Sequence, residues 1–465
     1  MDFKLDNREL HEECGVVALY GVEDAARKAY VALRSLQHRG QQGCGIAALG
    51  PSGAIRLHRG PGLVRQVFSD ADLERLPGSS CIGHVRYPTT EVGGPENIQP
   101  FQMTDSQGCF ALAHNGNIIN AGILHQRLES EGRLFLSTSD SELTGHLIGE
   151  AQARLGLAEG ILSAIRVLDG AFALVILTPD AIYACRDRYG FRPLSIGTLG
   201  DGYLIASETC AFRELGARFL RDIEPGETVV VDRGGLHSLY RTESARRGLC
   251  AMEYIYFARP DSILEGLSAY SFRKAAGRLL WEEHPVEADL VTGVPESGLA
   301  AALGFAQAGR IPFETGLIKN FYVARTFIQP AQHMRDLAVR MKFSPLPETL
   351  RGQRIAVIDD SIVRGTTLRQ LVRMFRDAGA KEVHVRIASP RYAYPCYYGI
   401  DTGSRAQLIG ADHDEAWICR FLGADSLGYL SEEAVRTAAG GLPLCTACFN
   451  GRYPTDLYGH DPFTE

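Results

Sequence analysis

The segment VIDDSIVRGTT at residues 357–367 is the sequence feature that most restricts the fold of this chain. The apolar run RIAVIDD, which leads into it, predicts a buried strand. The stretch TLRQLVRMFRDAGA after it predicts a helix, because apolar residues recur at i, i+3, i+4 and i+7 from Leu368 and Gly379 is placed to end it. The alternating EVHVRIAS predicts a second strand, so the unit is βαβ and its sheet is parallel.

The loop inside this unit has the chemistry of a phosphate site. Ligands of parallel α/β sheets bind beyond the carboxyl ends of the strands, where the free N–H groups of a helix N-terminus attract anions. Two adjacent acids in the loop would hold sugar hydroxyls or Mg²⁺ rather than phosphate. For the acids alone, an acidic turn that caps a helix is the alternative. The candidate ligands are Asp359, Asp360, Ser361, Arg364, Gly365, Thr366 and Thr367.

Cys14 is the second informative feature, since it heads the apolar run CGVVALYG, which predicts a strand. Removal of residues 1–13 would give this residue both a thiol and a free α-amino group. Together these groups form a nucleophile and its base, an arrangement suited to amide hydrolysis. A buried structural thiol is the alternative for a cysteine considered alone.

Composition limits the other possibilities. The 465 residues allow about two to four domains, and the net charge of −7 gives no case for a nucleic-acid partner. No apolar run approaches the roughly 20 residues that span a bilayer, and residues 1–13 lack the features of a secretory signal. We therefore expect a cytoplasmic protein with no membrane partner. In a reducing compartment its 11 cysteines favour buried thiols, catalysis or metal binding over disulfides.

Two patterns divide the chain. Residues 14–240 contain many short apolar strands, with helices predicted over 24–38 and 139–154, which indicates layered sheets with helices outside. From about residue 285 the order is strand, loop, helix, strand. The polar ARRG at 245–248 is the candidate boundary.

The motifs together resemble a known family. VIDDSIVRGTT resembles the 5-phosphoribosyl-1-pyrophosphate (PRPP) motif of type I phosphoribosyltransferases. Ten stretches, in order, resemble the glutamine PRPP amidotransferases (amidophosphoribosyltransferases), in the iron–sulfur subgroup with a propeptide. The stretches are CGVVALYG, LQHRGQ, IGHVRYPTT, HNGNI, MEYIYFARPDS, KNFYVARTFIQP, VRMKFSP, VIDDSIVRGTT, YPCYYGIDT and ACFNGRYP.

The resemblance implies an α/β multi-domain fold. An N-terminal-nucleophile αββα glutaminase sandwich (14–240) would follow a propeptide (1–13). A type I phosphoribosyltransferase domain with a parallel sheet and an iron–sulfur-binding C-terminal segment would occupy 250–465.

The resemblance also assigns the glutaminase residues. The Cys14 thiol would attack glutamine, and the Asn115 side chain and the Gly116 N–H would stabilise the oxyanion. The glutamine-binding residues would be Arg86 at the α-carboxylate, Asp140 at the α-ammonium, and Arg39. After LQHRGQ, the family's Glu-Ser-Ala-Gly is replaced by residues 42–45, Gln-Gly-Cys-Gly, which leaves the local packing and the role of Cys44 open.

In the second half, Lys319 and Arg325 would belong to a lid over PRPP and neutralise pyrophosphate. Ser297 in VPESG would lie near one Mg²⁺ per subunit, together with Asp359 and Asp360. Glu296 stands where the family has aspartate, so its contact stays open.

Four cysteines match the iron–sulfur subgroup. Alone, Cys445-x-x-Cys448 is compatible with zinc, redox chemistry or no function. By resemblance, Cys250, Cys396, Cys445 and Cys448 would bind one [4Fe–4S] cluster per subunit. We expect Cys81, Cys109, Cys185, Cys210 and Cys419 to be buried thiols without a function.

The implied activity is transfer of ammonia from L-glutamine to C1 of PRPP, which gives 5-phosphoribosylamine, glutamate and pyrophosphate and begins purine (IMP) synthesis. Purine nucleotide inhibitors and a homotetramer are further expectations. One alternative is a related enzyme such as glucosamine-6-phosphate synthase, which lacks the phosphate loop. The other is a non-catalytic PRPP-sensing regulator, against which the complete glutaminase set argues.

Overall fold

The computed structural model of the protein describes residues 14–87, 94–105, 108–320, 339–402 and 404–463. Its N-terminal part contains two antiparallel sheets. The seven-stranded sheet has the order β11-β9-β10-β1-β4-β2-β3 and the six-stranded sheet the order β13-β12-β8-β7-β6-β5. The strands are β1 (Gly15–Tyr20), β2 (Gly43–Leu49), β3 (Ile55–Pro61), β4 (Ser80–Arg86), β5 (Phe101–Asp105), β6 (Gly108–Ile118), β7 (Gly170–Leu177), β8 (Ile182–Arg186), β9 (Ser195–Leu199), β10 (Gly202–Ala206), β11 (Arg218–Asp222), β12 (Glu227–Asp232) and β13 (Gly235–Arg241).

Helices cover the outer face of each sheet. One apolar core joins the seven-stranded sheet to α1 and α7, a second fills the space between the sheets, and a third joins the six-stranded sheet to α5 and α6. This is the predicted αββα sandwich. The helices are α1 (Ala25–Ser35), α2 (Val64–Val67), α3 (Asp70–Glu74), α4 (Ala121–Ser130), α5 (Asp140–Leu155), α6 (Leu157–Val167) and α7 (Cys210–Leu215), with a 3₁₀ turn at Pro95–Asn97.

The C-terminal part is built on a four-stranded parallel sheet with the order β17-β20-β21-β22. The sheet strands are β17 (Leu290–Gly293), β20 (Arg354–Asp359), β21 (Glu382–Ile387) and β22 (Ser426–Tyr429). Short two-stranded ladders join β14 (Leu249–Cys250) to β23 (Leu444–Cys445), β15 (Ile263–Leu264) to β16 (Leu267–Ser268), and β18 (Leu317–Lys319) to β19 (Phe343–Pro345).

Helices pack on both faces of the parallel sheet. The helices are α8 (Ala269–Glu283), α9 (Leu299–Gly309), α10 (Pro347–Leu350), α11 (Thr366–Asp377), α12 (Ile409–Asp412), α13 (Glu415–Leu422), α14 (Glu432–Ala438) and α15 (Ala447–Asn450), with a π-helical turn at Glu253–Phe257 and a 3₁₀ turn at Arg405–Gln407. The predicted βαβ unit is confirmed as β20-α11-β21. Gly379, at φ +95°, follows the end of α11 as expected.

Buried polar contacts join the two parts. Arg39 before β2 forms ion pairs with Glu208, also in the N-terminal part, and with Glu253 in the π-helical turn. Asn117 on β6 donates a 2.9 Å hydrogen bond to the carbonyl of Tyr397. The predicted domain limits 14–240 and 250–465 remain predictions. No helix in the described part of the chain is long and apolar enough to cross a membrane.

Candidate active sites

Cys14 lies at a cavity of about 290 Å³ in the N-terminal part. It immediately precedes β1, which pairs with β4, and its Sγ donates a 3.4 Å hydrogen bond to the carbonyl of Tyr87 just beyond β4. Burial raises the pKa of the Cys14 thiol, and the nearby Arg86 guanidinium opposes this effect. The Cys14 thiol is therefore neutral, and it would need a base to act as a nucleophile.

Two opposite charges face the same cavity. Arg86 at the end of β4 lines it, as does Asp140, the first residue of α5. The Asp140 carboxylate accepts hydrogen bonds from the Ile118 N–H at 3.0 Å and contacts His114 Nδ1 at 3.3 Å. Although burial raises the pKa of Asp140, the interactions with His114 and Ile118 lower it below its usual value. The cavity thus presents a carboxylate and a guanidinium, a pair that complements an amino acid.

Asn115 and Gly116 lie side by side on β6. The Asn115 side chain is fully buried, and its amide nitrogen and oxygen find no hydrogen-bond partner among the described residues. Gly116 lines the cavity at φ +140°. His84 on β4 contacts the His114 carbonyl at 3.1 Å, which joins this strand to the sheet that carries Cys14. The structure thus brings Gly116 to the cavity wall, whereas Asn115 is buried next to it and does not line the cavity. Its role at the oxyanion stays a prediction.

Arg39 lies apart from the other residues predicted to bind glutamine. Its side chain is fully buried and does not line the glutamine-side cavity, so its expected contact with glutamine stays a prediction. Its Nε donates a 3.2 Å hydrogen bond to the Cys14 carbonyl, and its other nitrogens bind Glu208 at 2.6 Å and Glu253 at 2.7 Å. Sequence reasoning missed this role because the partners lie 169 and 214 residues away.

A second cavity of about 600 Å³ surrounds the phosphate loop. The loop joins β20 to α11, and Gly365 precedes the helix at φ +73°, the left-handed region that glycine occupies without strain. All seven residues predicted from the motif line this cavity: Asp359, Asp360, Ser361, Arg364, Gly365, Thr366 and Thr367.

Ser297 and Asp360 meet in this cavity. The Ser297 hydroxyl donates a hydrogen bond to Asp360 Oδ2, and Ser361 Oγ donates to Asp360 Oδ1 at 2.6 Å. Burial raises the pKa of Asp360, and these two hydroxyls oppose the shift. Glu296, the longer acid at the position that is aspartate in the family, also lines the cavity. The residues expected near Mg²⁺ are therefore together.

Basic side chains border the same cavity. The predicted Lys319 lines it. Lys342, which immediately precedes β19, also lines it and is a residue that sequence reasoning missed. Arg259 also lines it and holds Asp261 at 2.6 Å. The stretches MEYIYFARPDS and VRMKFSP contain Arg259 and Lys342, so the signal existed without an assigned role. Arg325 lies outside the described residues.

The structure brings together the four cysteines singled out from the sequence. Cys250 and Cys445 are register partners of the β14–β23 ladder, and Cys396 Sγ accepts a 3.3 Å hydrogen bond from the Tyr398 N–H. Burial raises the pKa of the Cys448 thiol well above its usual value, and the charges of Cys250, Cys396 and Cys445 raise it further. All 11 cysteines lie in the described ranges, and none forms a disulfide.

Two of the five cysteines that were expected to be buried are partly exposed. Cys81, Cys185 and Cys210 are buried as predicted, whereas Cys109 and Cys419 are partly exposed. Cys44 is fully buried in the core beneath α1, and burial raises the pKa of its thiol to about 12. It is a packing residue. Among the residues that the structure describes, no three His, Cys, Asp or Glu side chains are arranged to hold a single metal ion.

Comparison with known proteins defines the class of the first site. The model of a glutamine amidotransferase domain matches residues 84–214. This range covers Arg86, Asn115, Gly116 and Asp140, four of the residues predicted at the glutamine-side cavity.

Full-length relatives define the family. The chain is 46% identical over 456 residues to an amidophosphoribosyltransferase of Bacillus subtilis, covering 97% of this chain and 95% of the relative. It is 49% identical to one from Synechococcus elongatus, covering 97% and 94%. A solved glutamine PRPP amidotransferase from B. subtilis, complexed with ADP and GMP, matches with a TM-score of 0.91 at 46% identity, covering 96% and 98%. The chain belongs to the amidophosphoribosyltransferase family.

Proposed function

We infer that this chain transfers ammonia from L-glutamine to C1 of PRPP, forming 5-phosphoribosylamine, glutamate and pyrophosphate, the first committed step of purine synthesis. One observation carries this inference. A cavity with a thiol, a carboxylate and a guanidinium occurs in the same chain as a cavity built on a PRPP motif. The family membership agrees with both halves of the reaction.

In the first half, the Cys14 Sγ attacks the amide carbon of glutamine and a thioester forms as ammonia leaves. Arg86 binds the substrate's α-carboxylate and Asp140 its α-ammonium. The Asn115 amide and the Gly116 N–H bind the oxyanion. The base is the α-amino group that Cys14 would carry as the first residue, since Asp140 at the same cavity is assigned to the substrate ammonium. Water then releases glutamate from the thioester.

This assignment of the base requires Cys14 to be the first residue of the active enzyme. We therefore propose that residues 1–13 are removed. Intact mass of the purified protein tests the cleavage directly, since a chain that begins at Cys14 lacks the mass of those 13 residues.

In the second half, ammonia attacks C1 of PRPP and pyrophosphate leaves with inversion. The N-terminus of α11 and the hydroxyls of Ser361, Thr366 and Thr367 bind the 5′-phosphate. Asp359 and Asp360 bind the ribose hydroxyls. Lys319 and Arg325 neutralise pyrophosphate, and the segment that contains them excludes water from the reacting centre.

One Mg²⁺ per subunit is proposed beside Ser297, Asp359 and Asp360. The fit rests on the contact between the Ser297 hydroxyl and the Asp360 carboxylate. Mg²⁺ is usually bound by one or two carboxylates together with substrate phosphates, so a complete protein cage is not required. The ion would supply charge neutralisation for pyrophosphate.

One [4Fe–4S] cluster per subunit is proposed at Cys250, Cys396, Cys445 and Cys448. The donor set is four thiols without disulfides, mutually close enough to shift one another's pKa. A single zinc ion holds its sulfurs at about 2.3 Å, whereas four irons each take one thiolate. The cluster would stabilise the junction between the two parts.

Three further proposals concern the assembled protein. Purine nucleotides are proposed as inhibitors, because the B. subtilis structure is of a complex with ADP and GMP. A homotetramer and a cytoplasmic location remain predictions.

The decisive assay supplies PRPP with either glutamine or ammonium and follows pyrophosphate. We expect product with both nitrogen sources, since ammonium bypasses the Cys14 cavity. Processed protein that contains iron but forms no pyrophosphate with either source would overturn the proposal and favour the PRPP-sensing regulator.

A further inference from the structure

A segment from the C-terminal part of the chain packs against β6 at the glutamine-side cavity. Residues 397–399 directly follow Cys396, and the Asn117 side-chain amide on β6 donates a 2.9 Å hydrogen bond to the carbonyl of Tyr397. Asn117 also lines the glutamine-side cavity, whereas residues 397–399 line neither of the two cavities. The 397–399 segment therefore supports the cavity wall without being part of it.

Gly399 packs directly against the peptide of Gly116. A Cβ on Gly399 would lie 3.1 Å from the carbonyl carbon of Gly116 and 3.0 Å from Arg192 Nη2, at a φ of +110°. Both the positive φ and the close approach require a residue without a Cβ. A Cβ on Gly116 would itself lie 2.1 Å from the carbonyl oxygen of Ala171 on β7. Gly116 is thus in close contact with two other backbones, one from β7 and one from the 397–399 segment.

The 397–399 segment is itself held by several contacts. Arg192, whose side chain is fully buried, donates a hydrogen bond to the carbonyl of Tyr398. The ring of Phe191 stacks on the ring of Tyr398, with centroids 4.2 Å apart and planes 16° from parallel. The Tyr398 hydroxyl also shares a 2.9 Å hydrogen bond with Thr455 Oγ1. The segment is therefore a fixed surface against which β6 packs.

The residues that hold the segment also hold the strand beside β6. Asp187 Oδ2 accepts 3.1 Å hydrogen bonds from the N–H groups of Phe191 and Phe172. Phe172 on β7 is the register partner of Gly116 on β6. The contacts of the 397–399 segment thus lead back to the pair of strands that places Gly116.

We propose that residues 397–399 are a positioning element for the glutaminase step, because their contacts with Gly116 and Asn117 fix the Gly116 peptide where the oxyanion develops. An oxyanion donor contributes only when it is preorganised, so a displaced Gly116 slows the chemical step more than it weakens glutamine binding. The groups proposed to bind the substrate's charges, Arg86 and Asp140, lie on β4 and α5. This inference rests on the proposed function and adds a segment outside both cavities to the residues that its first half requires.

The test compares two variants with the wild-type protein. Gly399→Ala adds a Cβ toward Gly116, and Asn117→Leu removes the hydrogen bond to Tyr397 at similar volume. Gly459→Ala is the matched control, because Gly459 also has a positive φ, +97°, and its Cβ would meet no described atom within 4 Å. The measurements are kcat and KM for glutamate release from glutamine with PRPP present, pyrophosphate release with ammonium, and iron content.

An aldehyde analogue of glutamine, in which CHO replaces the side-chain amide, reports on the oxyanion position directly. The Cys14 Sγ adds to the aldehyde carbon, the thiol proton passes to the aldehyde oxygen, and the resulting hemithioacetal oxygen occupies the position of the oxyanion. Glutamate has the same α-carboxylate and α-ammonium but forms no such adduct. Inhibition by the aldehyde therefore measures complementarity to the transition state, and inhibition by glutamate measures binding alone.

We expect Gly399→Ala to lower kcat for glutamate release about 10- to 100-fold with KM changed by less than about twofold. Inhibition by the aldehyde should weaken by the same factor as kcat, and inhibition by glutamate should not change. Ammonium-dependent activity and iron content should be retained. Asn117→Leu should lower kcat in the same direction, and Gly459→Ala should match the wild-type protein.

An unchanged kcat in both variants would overturn the inference, as would an equal loss of glutamine- and ammonium-dependent activity. Weaker inhibition by glutamate with no selective loss toward the aldehyde would also overturn it, since binding rather than the oxyanion would then be affected. Asn117→Leu serves the comparison if Gly399→Ala does not fold. Inactive wild-type protein would instead contradict the proposed function.

Discussion

The Asp140 carboxylate accepts a 3.0 Å hydrogen bond from the N–H of Ile118, two residues beyond Gly116 on the same strand. This contact fixes the N-terminus of α5 against the strand proposed to stabilise the oxyanion. The contact therefore fixes the distance between two groups with proposed roles. Asp140 is proposed to bind the substrate ammonium, and Gly116 the developing negative charge.

Replacement of Asp140 by asparagine should weaken glutamine binding about 10- to 100-fold, which corresponds to about 1.5–3 kcal/mol for a hydrogen bond to a charged group. Ammonium-dependent activity should persist. Because the folded pKa of Asp140 is lowered, its carboxylate stays ionised at mildly acidic pH. Glutamine binding to Cys14→Ala protein should therefore be retained when the pH falls from 7 to about 5. Loss of binding over that range would contradict the assignment.

Replacement of Cys14 by serine should reduce glutamine-dependent activity by at least about a thousandfold, because the nucleophile is removed. The ammonium-dependent activity should change little. Cys109→Ser is the control, since Cys109 is a partly exposed cysteine that lines neither cavity. Equal glutamine-dependent rates for the two variants would show that another group performs the attack.

Replacement of Gly116 by alanine should destabilise the fold by about 3 kcal/mol, because a Cβ would lie 2.1 Å from the carbonyl oxygen of Ala171 at a φ of +140°. Gly108→Ala separates the steric clash from the backbone strain of a positive φ. Gly108 lies on the same strand at φ +147°, and its Cβ would meet no described atom within 4 Å. Chemical denaturation should give the larger loss for Gly116→Ala, and equal losses would assign the effect to backbone strain alone.

Replacement of Glu208 by glutamine should lower the free energy of unfolding at pH 7 by about 3 kcal/mol, since it leaves Arg39 buried with one partner fewer. Burial raises the pKa of Glu208, but His38 and Arg39 lower it well below its usual value. The contribution of Glu208 to the free energy of unfolding is thus complete above about pH 4.5. It is lost as the pH falls through the pKa of Glu208 in the folded protein.

The variant should consequently lose less stability on acidification than the wild-type protein. Glu282→Gln, at an exposed pair with Arg278, should change stability by less than about 0.5 kcal/mol. If the free energy of unfolding fell equally with pH in the wild-type protein and in Glu208→Gln, the lowered pKa of Glu208 would be contradicted.

Local sequence patterns predicted elements that are largely buried or have a clear apolar periodicity, such as β1, β20 and α11. The strands β3 and β13 are largely half-exposed or exposed, so their apolar patterns are weaker. Local patterns did not predict the buried ion pairs of Arg39 with Glu208 and Glu253, because no local pattern encodes such pairs. The four cysteines converge through contacts as distant as Cys250 with Cys445, and only the family resemblance linked them beforehand.

The ratio of glutamate to pyrophosphate released in one reaction tests the central claim most directly. A transferase that delivers its own ammonia to PRPP should form the two products in a one-to-one ratio when ammonium is absent, and should release little glutamate without PRPP. Glutamate release that is independent of PRPP and unaccompanied by pyrophosphate would contradict the account.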